Sequence, residues 1–227
     1  MNVTALSPTE VEARVRRGTA LVLDVREPRE FGRGHVAGSV CVPLANLAKW
    51  GPRILEPETP LVLVGEPEEL DSDDEHDGAE RAETPPEEVV AALESLAQVG
   101  FGERVAGYLA GGYDAWAAGR YATGRLAHIG ARAISDTLGP HGRLVDVRTP
   151  EEFTAGHIPG SENHPLDDVA ALRAALHGNE RPLLLICRVG NRSATAASLL
   201  LRDGTNSAGS LHNLIGGYNA WRNVCAQ

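Results

Sequence analysis

The sequence predicts an α/β fold built twice in tandem, each copy a mostly parallel sheet flanked by helices. Three observations carry that prediction. Asp24-Val-Arg-Glu-Pro-Arg-Glu-Phe31, running on to Gly34-His35-Val-Ala-Gly38-Ser39, returns as Asp146-Val-Arg-Thr-Pro-Glu-Glu-Phe153 and Gly156-His157-Ile-Pro-Gly160-Ser161, at an offset of 122 residues. Gly111-Gly-Tyr-Asp-Ala-Trp116 returns as Gly216-Gly-Tyr-Asn-Ala-Trp221, at an offset of 105. Short apolar runs, read as strands buried on both faces, alternate with helix-forming stretches, the pattern of a covered parallel sheet. A chain of 227 residues has room for two small domains. Their expected bounds are 1–122 and 123–227, with the boundary in the Gly- and Ala-rich stretch from Ala117 to Arg125.

Each element has its own justification. Ser7-Pro8-Thr9-Glu10 is a capping-box pattern with proline where a first helical turn tolerates it, and Val11 and Val15 supply a short apolar face. Ala20 to Val25 reads as a strand that breaks at Glu27-Pro28, and a short helix from Arg29 ends near Gly34. Val40 to Pro43 reads as extended, Leu61 to Val64 as a central strand, and Glu87 to Gln98 as a helix with Val89, Leu93 and Leu96 on one side. Val105 to Leu109 is a last strand. The second copy gives strands at Leu144 to Val147, Leu183 to Ile186 and Leu211 to Ile215, and a helix from Ser193 to Leu201 whose first turn Ser193 can cap.

The two offsets differ by 17, so the first copy carries extra residues between its motifs. They fall in 66–86. From Glu66 through Glu88 there are twelve Asp/Glu against one Arg, a net of −11 in a chain of net −10, so the remainder sums to +1. The acidity is one local insert. It reads as a solvated loop, with docking of a protein partner or metal sensing by Glu75-His76-Asp77 as the alternative. A net-negative chain without a basic stripe is no nucleic-acid binder. No apolar run approaches the ~20 residues of a membrane span, and the N-terminus has no basic-then-apolar signal. Three cysteines without paired spacing argue for a reducing compartment, so the expectation is cytoplasmic. With no C-x-x-C, H-x-H or H-E-x-x-H, no metal site and no cofactor are expected.

Chemistry concentrates in Cys187-Arg188-Val189-Gly190-Asn191-Arg192-Ser193. A cysteine closes an apolar strand, a glycine-containing loop flanked by arginines follows, and a helix begins. In open parallel sheets, ligands gather beyond the carboxyl ends of the strands. There the backbone must curl so that its N–H groups converge on the Cys187 sulfur, and such a nest at a helix N-terminus stabilises an anion. A thiol held there beside two arginines is expected to ionise below its free value of roughly 8.5. Cys187 reads as an activated nucleophile.

These motifs together resemble the rhodanese family of sulfurtransferases, twice along nearly the whole chain. Asp-Val-Arg-x-Pro-x-Glu-Phe with Gly-His-[Ile/Val]-x-Gly resembles the family's N-terminal signature, Gly-Gly-Tyr-x-Ala-Trp its C-terminal one, and Cys187 to Ser193 its active loop. The resemblance implies that the Cys187 thiolate takes the outer sulfur of thiosulfate or a low-molecular-weight persulfide and passes it to a thiol or cyanide. Arg188 and Arg192 would attract an anionic donor, Arg192 would also steady the loop, and the N–H groups from Val189 to Ser193 would stabilise thiolate and persulfide. Four residues separate Cys187 from Arg192, the spacing of sulfur-handling rhodaneses. Related phosphatases and arsenate reductases have one more, which makes phosphatase the second enzyme reading. A persulfide carrier or docking module with little turnover is the non-enzymatic one. Val105 to Gly112 is similar to the tandem rhodanese tails of metallo-β-lactamase-fold persulfide dioxygenases.

The first copy departs from the family. Gly65 stands where Cys187 does, and counting back from Gly-Gly-Tyr puts Glu87 and Glu88 at the positions of Arg192 and Ser193, so this copy is expected to be non-catalytic. His35 and His157 recur in both copies and read as structural. Asp24 and Asp146 recur likewise and read as structural, with Asp146 facing the loop and orienting Arg192 as the alternative. Cys41 reads as a core residue, and Cys225 as a terminal thiol that could receive sulfur from Cys187.

Overall fold

A computed structural model describes residues 3–56, 58–66, 84–204 and 210–225. Most of the acidic insert (67–83) and the side chain of Cys225 lie outside the described residues, and so do the roles expected for them. Contacts divide the chain into two compact units. One comprises Met1–Glu27 and His35–Thr123, the other Pro28–Gly34 and Gly124–Gln227.

The main sheet of the first unit is built from β1 (Ala5–Leu6), β2 (Leu21–Asp24), β3 (Val40–Cys41), β4 (Leu61–Val64) and β5 (Val105–Leu109). They form one sheet in the order β1-β5-β4-β2-β3, every pair parallel. The second unit holds β6 (Ala127–Ile129), β7 (Arg143–Asp146), β8 (Glu162–Asn163), β9 (Leu183–Ile186) and β10 (Leu211–Leu214), in the order β8-β7-β9-β10-β6, again all parallel. Read from the other edge, this is the same topology. The repeat in sequence is therefore a repeat of architecture.

The apolar runs behave as their composition requires. All four residues of β4 and of β9 are buried, because helices cover both faces of a parallel sheet. Glu87–Gln98 is helical over the span its pattern predicts, with Val89, Leu93 and Leu96 buried. The capping box at Ser7 forms in full: Glu10 N–H donates to the Ser7 hydroxyl, while the Glu10 carboxylate accepts from the Ser7 N–H at 2.8 Å.

The pattern did not signal the helix Leu44–Ile54. Gly51-Pro52 reads as a breaker, yet Pro52 falls near the helix end, and burial of Leu47 and Trp50 outweighs its missing donor. The short strands β1, β6 and β8 were equally silent. Two or three residues are too few to show a period, and pairing with a neighbour alone makes them strands. Cys41 is fully buried, and burial pushes its thiol pKa well up, with Asp24 adding to the shift, which fits an inert core residue. Among the described residues, no helix is long and apolar enough to cross a membrane.

Candidate active site

Cys187 directly follows β9, the central strand of its sheet, and the helix Asn191–Arg202 opens four residues later. The registers of the two copies coincide. Leu61 to Val64 run beside Leu21 to Asp24 just as Leu183 to Ile186 run beside Arg143 to Asp146, so Gly65 and Cys187 occupy equivalent positions.

Cys187 itself is only 1 % exposed, whereas Arg188 and Val189 after it are exposed, Val189 at 51 %. The loop turns back at Gly190, whose φ of +108° is left-handed backbone that a side chain rarely adopts. That turn aims the Gly190 N–H at the Cys187 Sγ, 3.0 Å away. Ser193 Oγ lies 3.4 Å from the same sulfur and 3.2 Å from the Gly190 carbonyl. Ser193 therefore is not the cap of the helix. Gly190 holds that place without a side chain, and Ser193 is the third helical residue, folded back toward the sulfur. The N-terminus of a twelve-residue helix lies beside them.

Arg192 is bound rather than free. Its Nη1 and Nη2 donate to the two Glu152 carboxylate oxygens at 2.6 and 2.8 Å, a bidentate pair. The orienting role that was the alternative for Asp146 is thus filled by Glu152. The Asp146 carboxylate is taken by Arg148, from Nε at 3.0 and 2.9 Å and from Nη2 at 2.7 Å, both side chains being buried. Asp24 and Arg26 make the same pair in the first unit, which has no cysteine at the equivalent place, so this pair is architectural. Arg148 also donates to the Gly156 carbonyl and stacks over the Tyr218 ring at 4.2 Å. His157 is an exposed ring stacked on Phe153, while His35 is buried, so the repeated histidines do not share an environment.

Glu152 was not singled out in the sequence, although its place in the repeated signature was a signal. It has two tasks. Its carboxylate accepts the Thr149 N–H in the capping box of the helix Pro150–Thr154, and it clamps Arg192. The Arg192 guanidinium, against an opposing burial penalty and helped by the Thr149 N–H, holds the Glu152 carboxyl at about 2 instead of 4.5. Arg192 loses some charge preference to burial, yet Glu152, with Cys187 and Asp146 adding, raises its pKa on balance. Because the folded carboxyl titrates lower than the unfolded one, the stabilisation is complete above the ordinary carboxylate range and is lost as pH falls from there toward about 2. Glu152→Gln is expected to cost about 1–3 kcal/mol at neutral pH and to remove that part of the acid slope. Denaturant midpoints of both proteins between pH 7 and pH 2.5 check it.

The loop is also held from the next helix. Gly217–Cys225 points its first N–H groups at the loop, Tyr218 N donating to the Cys187 carbonyl at 2.8 Å and Asn219 N to the Arg188 carbonyl at 3.2 Å. Gly217 has φ +56°, and a Cβ there would lie 2.6 Å from the Arg188 carbonyl carbon and 2.7 Å from its oxygen. The Gly-Gly-Tyr motif therefore allows the helix to approach the cysteine loop backbone to backbone.

In the first unit the equivalent space is filled. A Cβ on Gly65 would lie 2.9 Å from Val89 Cγ2 and 3.2 Å from Glu88 Oε2. Glu88 accepts the Glu66 N–H at 2.7 Å, and burial pushes its pKa up, the Glu66 N–H opposing and the Glu66 and Asp24 charges adding. Counted from the helix starts, Glu88 and Val89 match Arg192 and Ser193, one residue on from the pairing that motif spacing gives.

A family model for the rhodanese-like domain matches residues 7–119 and again 131–224. The chain belongs to the rhodanese-like family. Within this family, the thiosulfate sulfurtransferase GlpE of Pseudomonas aeruginosa is 34 % identical over 85 residues, covering 36 % of this chain and 71 % of the relative. The GlpE of Stutzerimonas stutzeri is 36 % identical over 84 residues, with 36 % and 71 % covered. Among solved structures, the rhodanese-like domain of the Anabaena Alr3790 protein aligns with a TM-score of 0.41 at 23 % identity, over 56 % of this chain and 81 % of that one. A thiosulfate sulfurtransferase from P. aeruginosa aligns with a TM-score of 0.39 at 20 % identity, over 99 % of this chain and 43 % of that one.

Proposed function

We propose that the chain is a sulfurtransferase that carries sulfane sulfur on Cys187. The observation that carries this reading is the Cys187 sulfur facing the Gly190 N–H at 3.0 Å at the head of a helix. Rhodanese-family membership and relatives named thiosulfate sulfurtransferase support it. The thiolate attacks the outer sulfur of thiosulfate, a new S–S bond forms, the old one breaks, and sulfite leaves with its electron pair. A low-molecular-weight persulfide serves as donor in the same way, releasing its thiol. The outer sulfur of the Cys187 persulfide then passes to an acceptor thiol or to cyanide, restoring the thiolate.

With Arg192 committed to Glu152, the exposed Arg188 is the loop arginine left to meet an anionic donor, and Arg192 keeps the loop in place. Gly190 N–H and Ser193 Oγ hold the charge on sulfur. In this reading the second copy, 123–227, is the catalytic one, and the first, 1–122, does no chemistry. Gly65 in place of a cysteine and the Glu88 carboxylate beside it support that division.

The test is the intact mass of the protein after incubation with thiosulfate and, separately, with glutathione persulfide. A gain of one sulfur that maps to Cys187 and is discharged by cyanide supports the proposal, and no gain from either donor overturns it. Restoring a thiol to the first copy is expected to achieve nothing. Gly65→Cys in a Cys187→Ser background should gain no sulfur, because its Cβ meets Val89 and the Glu88 carboxylate repels an anionic donor.

A further inference from the structure

Behind the cysteine loop, two neighbouring strands carry an amide and an imidazole where the first copy has neither. Asn213 on β10 pairs in register with Leu185 of β9 on one side and with His128 of β6 on the other. At the equivalent register positions the first copy has Tyr108 beside Leu63 and Ala5 beside Tyr108. The amide and imidazole therefore occur only in the copy that has the cysteine.

Their hydrogen bonds form a short chain that ends at the sulfur. Asn213 Nδ2 lies 3.1 Å from the Gly190 carbonyl and 3.1 Å from His128 Nδ1, while His128 Nε2 lies 2.6 Å from the Pro28 carbonyl, all within the second compact unit. The donor roles follow. A carbonyl can only accept, so Nε2 carries the ring proton, Nδ1 is the acceptor, and both amide hydrogens of Asn213 are donated. Flipping the amide would set its oxygen against two acceptors. Burial pushes the His128 pKa down, the Pro28 carbonyl opposing and Arg29 adding, so the ring stays neutral and Nδ1 keeps its lone pair. Asn213 is 1 % exposed, and its Oδ1 is buried without a partner.

We propose that Asn213 is a positioning residue for the cysteine loop: its amide, held by His128, fixes the Gly190 carbonyl and so keeps the Gly190 N–H aimed at the Cys187 sulfur. The inference rests on Cys187 being the reactive group of the proposed function. Gly190 is the residue to hold. It takes a left-handed φ, its N–H faces the sulfur, and its carbonyl also accepts from the Ala194 N–H. The Gly190 N–H and carbonyl lie in successive peptide groups joined at its Cα, so a carbonyl left unheld lets φ and ψ of this glycine change and turns the donor away from the sulfur.

The experiment measures two rates in the full chain: Cys187 alkylation by iodoacetamide, read by peptide mass, and persulfide formation from thiosulfate. The variants are Asn213→Ala, His128→Ala, the double mutant and His128→Asn. Asn213→Ala is expected to slow both reactions roughly 10- to 100-fold with donor half-saturation unchanged. His128→Ala should lower the same rates, and the double mutant should be no slower than Asn213→Ala. His128→Asn places an amide oxygen near the former Nδ1 and should restore most of the rate. A merely structural asparagine would lower the melting temperature and leave the rates of the folded protein alone, and that result overturns the proposal. Additive losses in the double mutant overturn the part given to His128. Should Asn213→Ala not fold, the contrast between His128→Ala and His128→Asn decides in its place. If the wild type takes up no sulfur yet alkylation still slows in Asn213→Ala, the sulfurtransferase reading fails and the positioning role stands.

Discussion

Cys187→Ser is expected to abolish sulfur uptake while leaving the fold intact. The serine hydroxyl is smaller than the thiol and can accept from the Gly190 N–H and the Ser193 hydroxyl, the two donors that now face sulfur at 3.0 and 3.4 Å. The melting temperature should therefore move by only a few degrees, on the order of 1 kcal/mol. The chemistry is a different matter. An alcohol stays protonated at neutral pH, and no persulfide can form on oxygen, so turnover should fall by at least about a thousandfold. Intact mass after thiosulfate would show the wild type gaining sulfur and the variant gaining none. Sulfur gained equally by Cys187→Ser would place the reactive thiol elsewhere. Cys41 is an unpromising substitute, since it is fully buried with its thiol pKa pushed well up.

Gly217→Ala is expected to be the most damaging single methyl group in the second copy. Its φ of +56° alone costs an alanine about 1–2 kcal/mol. The new Cβ would in addition stand 2.6 and 2.7 Å from the Arg188 carbonyl carbon and oxygen and crowd the Cys187 carbonyl, all of them backbone that no rotamer change can move aside. Overpacking of that kind adds about 1–3 kcal/mol, so a fall in melting temperature of roughly 10 °C or more is expected for a domain of this size. Activity should fall further than stability. Relieving the clash pulls the Cys187 carbonyl from the Tyr218 N–H, now 2.8 Å away, and shifts the loop that carries the sulfur. Gly216→Ala is the control. Its Cβ would meet chiefly the Ala220 methyl, at 2.7 Å, so it should strain the helix and spare the loop. Equal sulfur-transfer rates in folded Gly217→Ala and wild type would count against this account of the Gly-Gly-Tyr motif.

Part of this protein is legible from its sequence because the information is local. Repeated motifs announce two copies, apolar runs four residues long announce the central strands, and a cysteine between such a run and a helix announces the candidate nucleophile. A glycine at position 65 and the run of carboxylates after it likewise announce that the first copy differs. These readings need only neighbours along the chain, since periodicity and capping are short-range effects.

What the tertiary structure decided is which charge meets which. Asp146 and Glu152 are both carboxylates of one signature, and sequence distance does not say which of them faces Arg192. Parallel packing does: it leaves Asp146 beside Arg148 and brings Glu152, at the start of another helix, to the loop. In the first copy, the equivalent Glu30 instead pairs with Arg33, one helical turn away, at 2.6 Å. Asn213 and His128 are a sharper case. They stand 85 residues apart in the chain and become neighbours only because β10 and β6 pair in register. Hydrogen bonds fall off within a few tenths of an ångström, so such partners are fixed by strand register and helix placement, which no local pattern contains.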